Sequence, residues 1–120
     1  MDSISKKAAS WWKRQLKAHL ERQCSSFENF EEAFTISLSD NISQKQLDIF
    51  EEFLSQEIED HLKRNGCIEL TCKIYPCEIL ERCGNRAGFL GLNFPRRTYM
   101  VINNGKIKVK NDKLNVFKAI

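Results

Sequence analysis

The chain is 120 residues long, 42% hydrophobic and 29% charged with a formal charge of +3, which implies one globular domain over residues 1–120. Its longest uncharged stretch, residues 87–95, is far short of the ~20 apolar residues of a membrane span, and no apolar leader opens the sequence, so no membrane span and a cytoplasmic location are expected. Five cysteines, an odd number without a secretory signal, predict reduced thiols rather than a disulfide framework.

The first predicted helix covers residues 5–23. Ala8, Trp12, Leu16 and Leu20 recur every fourth residue and form one apolar stripe, with Trp11 at its flank and Lys6, Lys13, Arg14 and Lys17 elsewhere on the wheel. A second helix starts at Ser25 or Ser26. Ser25 and Glu28 fit a capping box, and Phe27, Phe30 and Phe34 face one way until the Ser-rich, β-branched segment of residues 35–39 frays it. The third helix opens with Ser43 and Gln46 as a capping box and Ile42 on Leu47 as a staple. Its stripe continues through Phe50, Phe53, Leu54, Ile58 and Leu62 to a left-handed stop at Gly66.

Ile68, Leu70, Cys72 and Ile74 alternate with polar residues, the period of a half-buried strand. Pro76 then opens a short helix that Gly84 closes, and residues 85–95 form a loop. The chain finishes in a hairpin. Asn104-Gly105 favours a two-residue type I′ turn, which sets Ile102 opposite Ile107, Val101 opposite Lys108, Met100 opposite Val109 and Tyr99 opposite Lys110. The tail from about residue 111 is expected to be weakly ordered unless Phe117 anchors it. The predicted fold is α+β: three N-terminal helices on one face of a small three-stranded, mainly antiparallel sheet, with a fourth short helix before the C-terminal β-hairpin. Phe30, Phe50, Leu54, Ile58, Ile68, Leu70, Met100 and Ile107 are the expected core.

Charge is sorted along this frame. Lys and Arg against Asp and Glu number six to two in residues 1–25, three to ten in residues 26–66, and ten to four in residues 67–120. Such asymmetry bears on partners, through local fields, rather than on fold. In the acidic middle, Asp48, Glu52 and Glu59 share one helical face with Glu51 beside them, a surface for a protein partner with a basic groove. The bland alternative is the solvated back of an amphipathic helix. In the basic C-terminal part, Arg82, Arg86, Arg96 and Arg97 precede a hairpin face of Tyr99, Lys106, Lys108 and Lys110, to which Lys73 adds; Phe89 and Phe94 lie in the adjoining loop. Cations follow phosphates and aromatic rings stack bases, so this composition suits a single-strand-binding sheet. Lysines on a hairpin also protect an exposed sheet edge.

No enzyme is expected. There is no nucleophile elbow, P-loop or metal-binding His pair, and His19 and His61 lie separately on predicted helices. The Gly84, Arg86 and Gly88 stretch lacks the ending of a phosphate loop. The spacings of Cys67, Cys72, Cys77 and Cys83 are not those of zinc knuckles, so neither metal nor cofactor is expected. A small non-enzymatic binding protein remains, of a type suited to bacterial, phage or mobile-element accessory roles. It would act on a protein partner as an inhibitor or adaptor through Asp48, Glu51, Glu52 and Glu59, or alternatively on nucleic acid through Arg86, Arg96, Arg97, Tyr99, Lys106, Lys108 and Lys110. The sequence leaves the oligomeric state open.

Overall fold

A computed structural model describes residues 4–25, 44–88, 94–111 and 116–120, with the side chains of α1 described as far as His19. Within them lie helices α1 (Ile4–Ser25), α2 (Gln44–Asn65) and α3 (Glu78–Ala87), and strands β1 (Cys67–Cys72), β2 (Thr98–Asn103), β3 (Lys106–Lys110) and β4 (Lys118–Ala119). Ser25, an expected start of the second helix, is the last residue of α1, and the rest of that expected helix, with Phe30, falls outside the described residues, as does Phe89.

The architecture is α+β, but the sheet has four strands rather than three, all antiparallel in the order β1-β2-β3-β4. Burial alternates along every long strand. Ile68, Leu70, Cys72, Thr98, Met100, Ile102, Ile107 and Val109 are covered, while Glu69, Lys106 and Lys108 are exposed and Thr71, Tyr99, Val101 and Lys110 are half-buried. The sheet therefore has one inner and one outer face. α2 packs against α1, α3 and β1, and α1 reaches β3.

Each helix buries its apolar stripe. In α1 this is Ala8, Trp12 and Leu16, joined by Ala9 and by Trp11, whose ring meets Trp12 edge-on at 5.3 Å. In α2 it is Leu47, Phe50, Leu54 and Ile58. Gly66 ends α2 at φ 77°, and its N–H donates to the Leu62 carbonyl at 2.8 Å, the left-handed cap expected there.

Three sequence expectations change. β1 stops at Cys72, because Cys72 forms a bridge with Pro76 and the Cys77 N–H donates to the Thr71 carbonyl at 2.8 Å. The chain turns there, and Ile74 stands 60% exposed. Pro76 consequently precedes α3 instead of opening it, and Cys77 takes the N-cap position. Gly84 does not end α3; it lies buried within the helix beside Leu80, Cys83 and Ala87, and Gly88 is the left-handed cap at φ 93°. A glycine inside a helix costs only about 1 kcal/mol relative to alanine, so packing of this small residue overrides the local stop signal. Residues 85–87 are thus helical rather than loop. The hairpin register is the expected one, with Asn104 and Gly105 at φ 53° and 74° as a type I′ turn requires. Beyond it, β4 pairs with β3, and the Ile120 N–H donates to the Ile107 carbonyl at 3.1 Å.

Candidate functional site

On α2 the acidic candidates are mostly engaged within the molecule. Lys13 of α1 places its Nζ 2.8 Å from Asp48 Oδ1 and 3.4 Å from Glu51 Oε1. The hydrogen bond from Lys13, reinforced by one from Gln44 at 3.0 Å, holds the Asp48 carboxyl below its usual range, and the same contact raises the Lys13 pKa. Glu59 pairs with Lys63 one turn on at 3.8 Å. Of the four acids proposed as a partner surface, Glu52 alone makes no ion pair among the described residues. On the other flank of α2, Arg82 of α3 binds Glu57 at 2.6 Å.

The basic candidates divide. The Arg86 guanidinium lies 5.4 Å above the Phe53 ring, so it engages α2 in the helical layer. Arg96 and Arg97 are exposed just ahead of β2. Arg97 adopts φ 57°, and its N–H donates to the Lys73 carbonyl at 3.0 Å, which fastens the exposed turn of residues 73–75 beside it. Tyr99, Lys106, Lys108 and Lys110 share the outer sheet face, as their alternation predicts. Val101, Asn103, Asn104, Lys106 and Lys108 line a shallow recess of ≈ 250 Å³ there. Among the described residues, Lys106, Lys108, Arg96 and Arg97 form no ion pair with a carboxylate.

Of the expected aromatic residues, Tyr99 lies on the outer face, Phe89 falls outside the described residues and Phe94 departs from expectation. Phe94 is 2% exposed and packs edge-on against Phe50 at 5.6 Å, so it belongs to the core. Among the described residues the exposed rings are Tyr75, at 71%, and Phe117, at 46%. Neither was expected to contribute to the basic face. Tyr75 follows the expected strand ending at Ile74, and Phe117 was considered only as an anchor for the tail.

Burial pushes the Cys72 thiol up to about 11 and the Cys83 thiol to about 12, so both are poor nucleophiles at neutral pH. Cys67, Cys72, Cys77 and Cys83 are free thiols, and among the described residues no three His, Cys, Asp or Glu side chains converge as metal ligands. Gly84, Arg86 and Gly88 occupy the C-terminal turn of α3, the negative end of a helix, which repels phosphate. No described helix is long and apolar enough to cross a membrane. Comparison of the chain with protein-family models, with curated proteins and with solved structures finds no match.

Proposed function

We propose that this chain is a non-enzymatic nucleic-acid-binding protein whose outer sheet face takes a single strand. One observation carries the reading: Lys106, Lys108 and Lys110 stand with Tyr99 on a face turned away from the core, and no described acid forms an ion pair with any of these lysines. Arg96, Arg97 and Lys73 extend the positive surface past the ends of β1 and β2. Unpaired cations on one face supply the sequence-independent attraction to phosphates, and a neighbouring ring supplies a surface for a base.

The other reading, an inhibitor or adaptor meeting a basic protein through Asp48, Glu51, Glu52 and Glu59, draws less support. Lys13 pairs with two of those carboxylates and Lys63 with a third, which lowers the negative field they project. What remains for an outside partner is Glu52 and a weakened field around it.

Titration of a fluorescent single-stranded oligonucleotide tests the proposal. Lys108→Glu and Arg97→Glu are expected to weaken binding across all sequences, and each lost phosphate contact lowers the slope of log affinity against log salt by about 0.7. Absence of binding to any single strand at low salt would sink the reading.

A further inference from the structure

The strand register places one row of outer-face residues directly across the sheet. Thr71 of β1 stands opposite Tyr99 of β2, and Tyr99 stands opposite Lys110 of β3. β4 continues the pattern, with Val109 opposite Lys118 and Lys108 opposite Ala119, so one step further along the same register brings Phe117 to Lys110. The side chains agree: the Lys110 ammonium lies 6.0 Å from the centre of the Tyr99 ring and 6.0 Å from that of Phe117. A cation is thus bracketed by two aromatic rings. At the β1 end of the row the chain turns through residues 73–75. The Arg97 N–H holds that turn through the Lys73 carbonyl, two residues before Tyr99, and Tyr75 there is 71% exposed.

We infer that a single strand of nucleic acid crosses the β-strands along this row, with Tyr75 and Phe117 as base-stacking residues in addition to Tyr99. The inference rests on the outer sheet face binding nucleic acid at all, and it adds the path and the stacking residues. Adjacent strands are about 4.8 Å apart, so the row presents Thr71, Tyr99, Lys110 and Phe117 along a line with a cation between two rings, and the exposed Tyr75 stands in the turn that follows β1. Rings laid out this way offer π-faces to unpaired bases, while the cation between them meets the phosphates. A duplex hides its base faces and gains only the charge term. The second outer row, Glu69, Val101, Lys108 and Ala119, carries an acid and no ring. That contrast is why the path is assigned to the first row. The C-terminal residues therefore belong to the binding surface, because β4 is what sets Phe117 against Lys110.

The experiment compares the affinities of parent, Phe117→Ala, Tyr75→Ala and Lys108→Glu for a fluorescent oligothymidine and for a duplex of equal length. Phe117→Ala and Tyr75→Ala are each expected to weaken single-strand binding about 5- to 150-fold, the cost of one lost stacked base. Their salt slopes stay at the parental value, since no phosphate contact is removed. Phe117→Trp keeps parental affinity, and its exposed indole is quenched on titration above the steady signal of the buried Trp11 and Trp12. That variant also guards against misreading a folding defect as lost stacking. If both alanine variants bind like the parent while Lys108→Glu does not, the row is wrong and the basic face stands. A parental preference for the duplex also overturns the row. A parent that binds no oligonucleotide but does bind anionic phospholipid vesicles overturns row and face together, and assigns Ile74, Tyr75 and their flanking cations to a lipid surface.

Discussion

Arg82 holds the Glu57 carboxylate with two hydrogen bonds, Nη2 to Oε2 at 2.6 Å and Nε to Oε1 at 3.3 Å. The guanidinium beside it keeps Glu57 below its ordinary value of 4.5. A carboxyl whose pKa is depressed in the folded state stabilises that state fully above its unfolded value, and the contribution is lost as pH falls through the folded value. Glu57→Gln is therefore expected to cost about 1 kcal/mol at neutral pH, since Arg82 is part-exposed and solvent screens the pair. The gap between parent and variant should close as the solution is acidified below 4.5. Urea unfolding at both pH values checks this, and a gap that ignores pH would contradict it. A second residue-scale expectation concerns Leu54, fully buried in α2: Leu54→Ala should lose about 2–5 kcal/mol, as a cavity in a packed core does. The sequence named Leu54 because a helical stripe marks its own buried face. It did not name the Arg82 pairing or the Lys13 bridge to Asp48, because a wheel shows which side of a helix a charge occupies and not which residue lies opposite in space.

At the scale of elements, α1, α2 and the hairpin were legible because several local signals agreed in each. A fourfold apolar repeat, a glycine stop and an Asn-Gly turn each determine backbone conformation with little help from tertiary contacts. The errors fell where a local signal competed with packing. Ile74 continues the alternation of β1, yet the bridge from Cys72 to Pro76 turns the chain first. Gly84 looks like a stop, yet its bareness serves the buried side of α3, and Gly88 makes the turn. β4 is two residues long, below what a period-2 pattern can announce. The glycine assignment is testable. Gly66 and Gly88 both hold positive φ, at 77° and 93°, so alanine at either should cost about 1–2 kcal/mol from the left-handed backbone. A side chain at Gly66 would meet open space, whereas one at Gly88 would approach Gln46 Nε2 to 2.7 Å, the atom that donates to the Ala87 carbonyl at 3.1 Å. Gly88→Ala should therefore be the more damaging of the two by chemical denaturation. Equal losses would mean that the Gln46 contact contributes nothing.

At the scale of the whole molecule, the charge sorting seen along the sequence becomes two different kinds of surface. The acidic middle was legible as composition, but the pairing of Asp48 and Glu51 was not, because Lys13 comes from the basic first helix and closes on α2 only in three dimensions. In residues 67–120, Lys106, Lys108 and Lys110 stand on the outer sheet face with no ion pair among the described residues, whereas α2 draws Arg82 and Arg86 into the helical layer. This division makes Glu52 the clean probe of which surface acts. Reversing Asp48 would set two cations against each other at Lys13 and weaken the α1–α2 packing, so any loss of binding there would be confounded by a loss of stability. Glu52 is exposed and forms no ion pair among the described residues, so Glu52→Lys should leave stability within about 0.5 kcal/mol of the parent. Were the acidic helix the working surface, that reversal would slow association with a basic partner and flatten its dependence on salt. With the sheet face as the working surface, single-strand affinity should stay at the parental level or rise slightly, because the added charge only raises the general attraction to phosphate. Measuring the oligonucleotide on-rate of Glu52→Lys beside that of Lys108→Glu at two salt concentrations separates the cases. A fall for Lys108→Glu alone is the expected result, and a fall for Glu52→Lys would deny that the sheet face acts independently of the acidic helix.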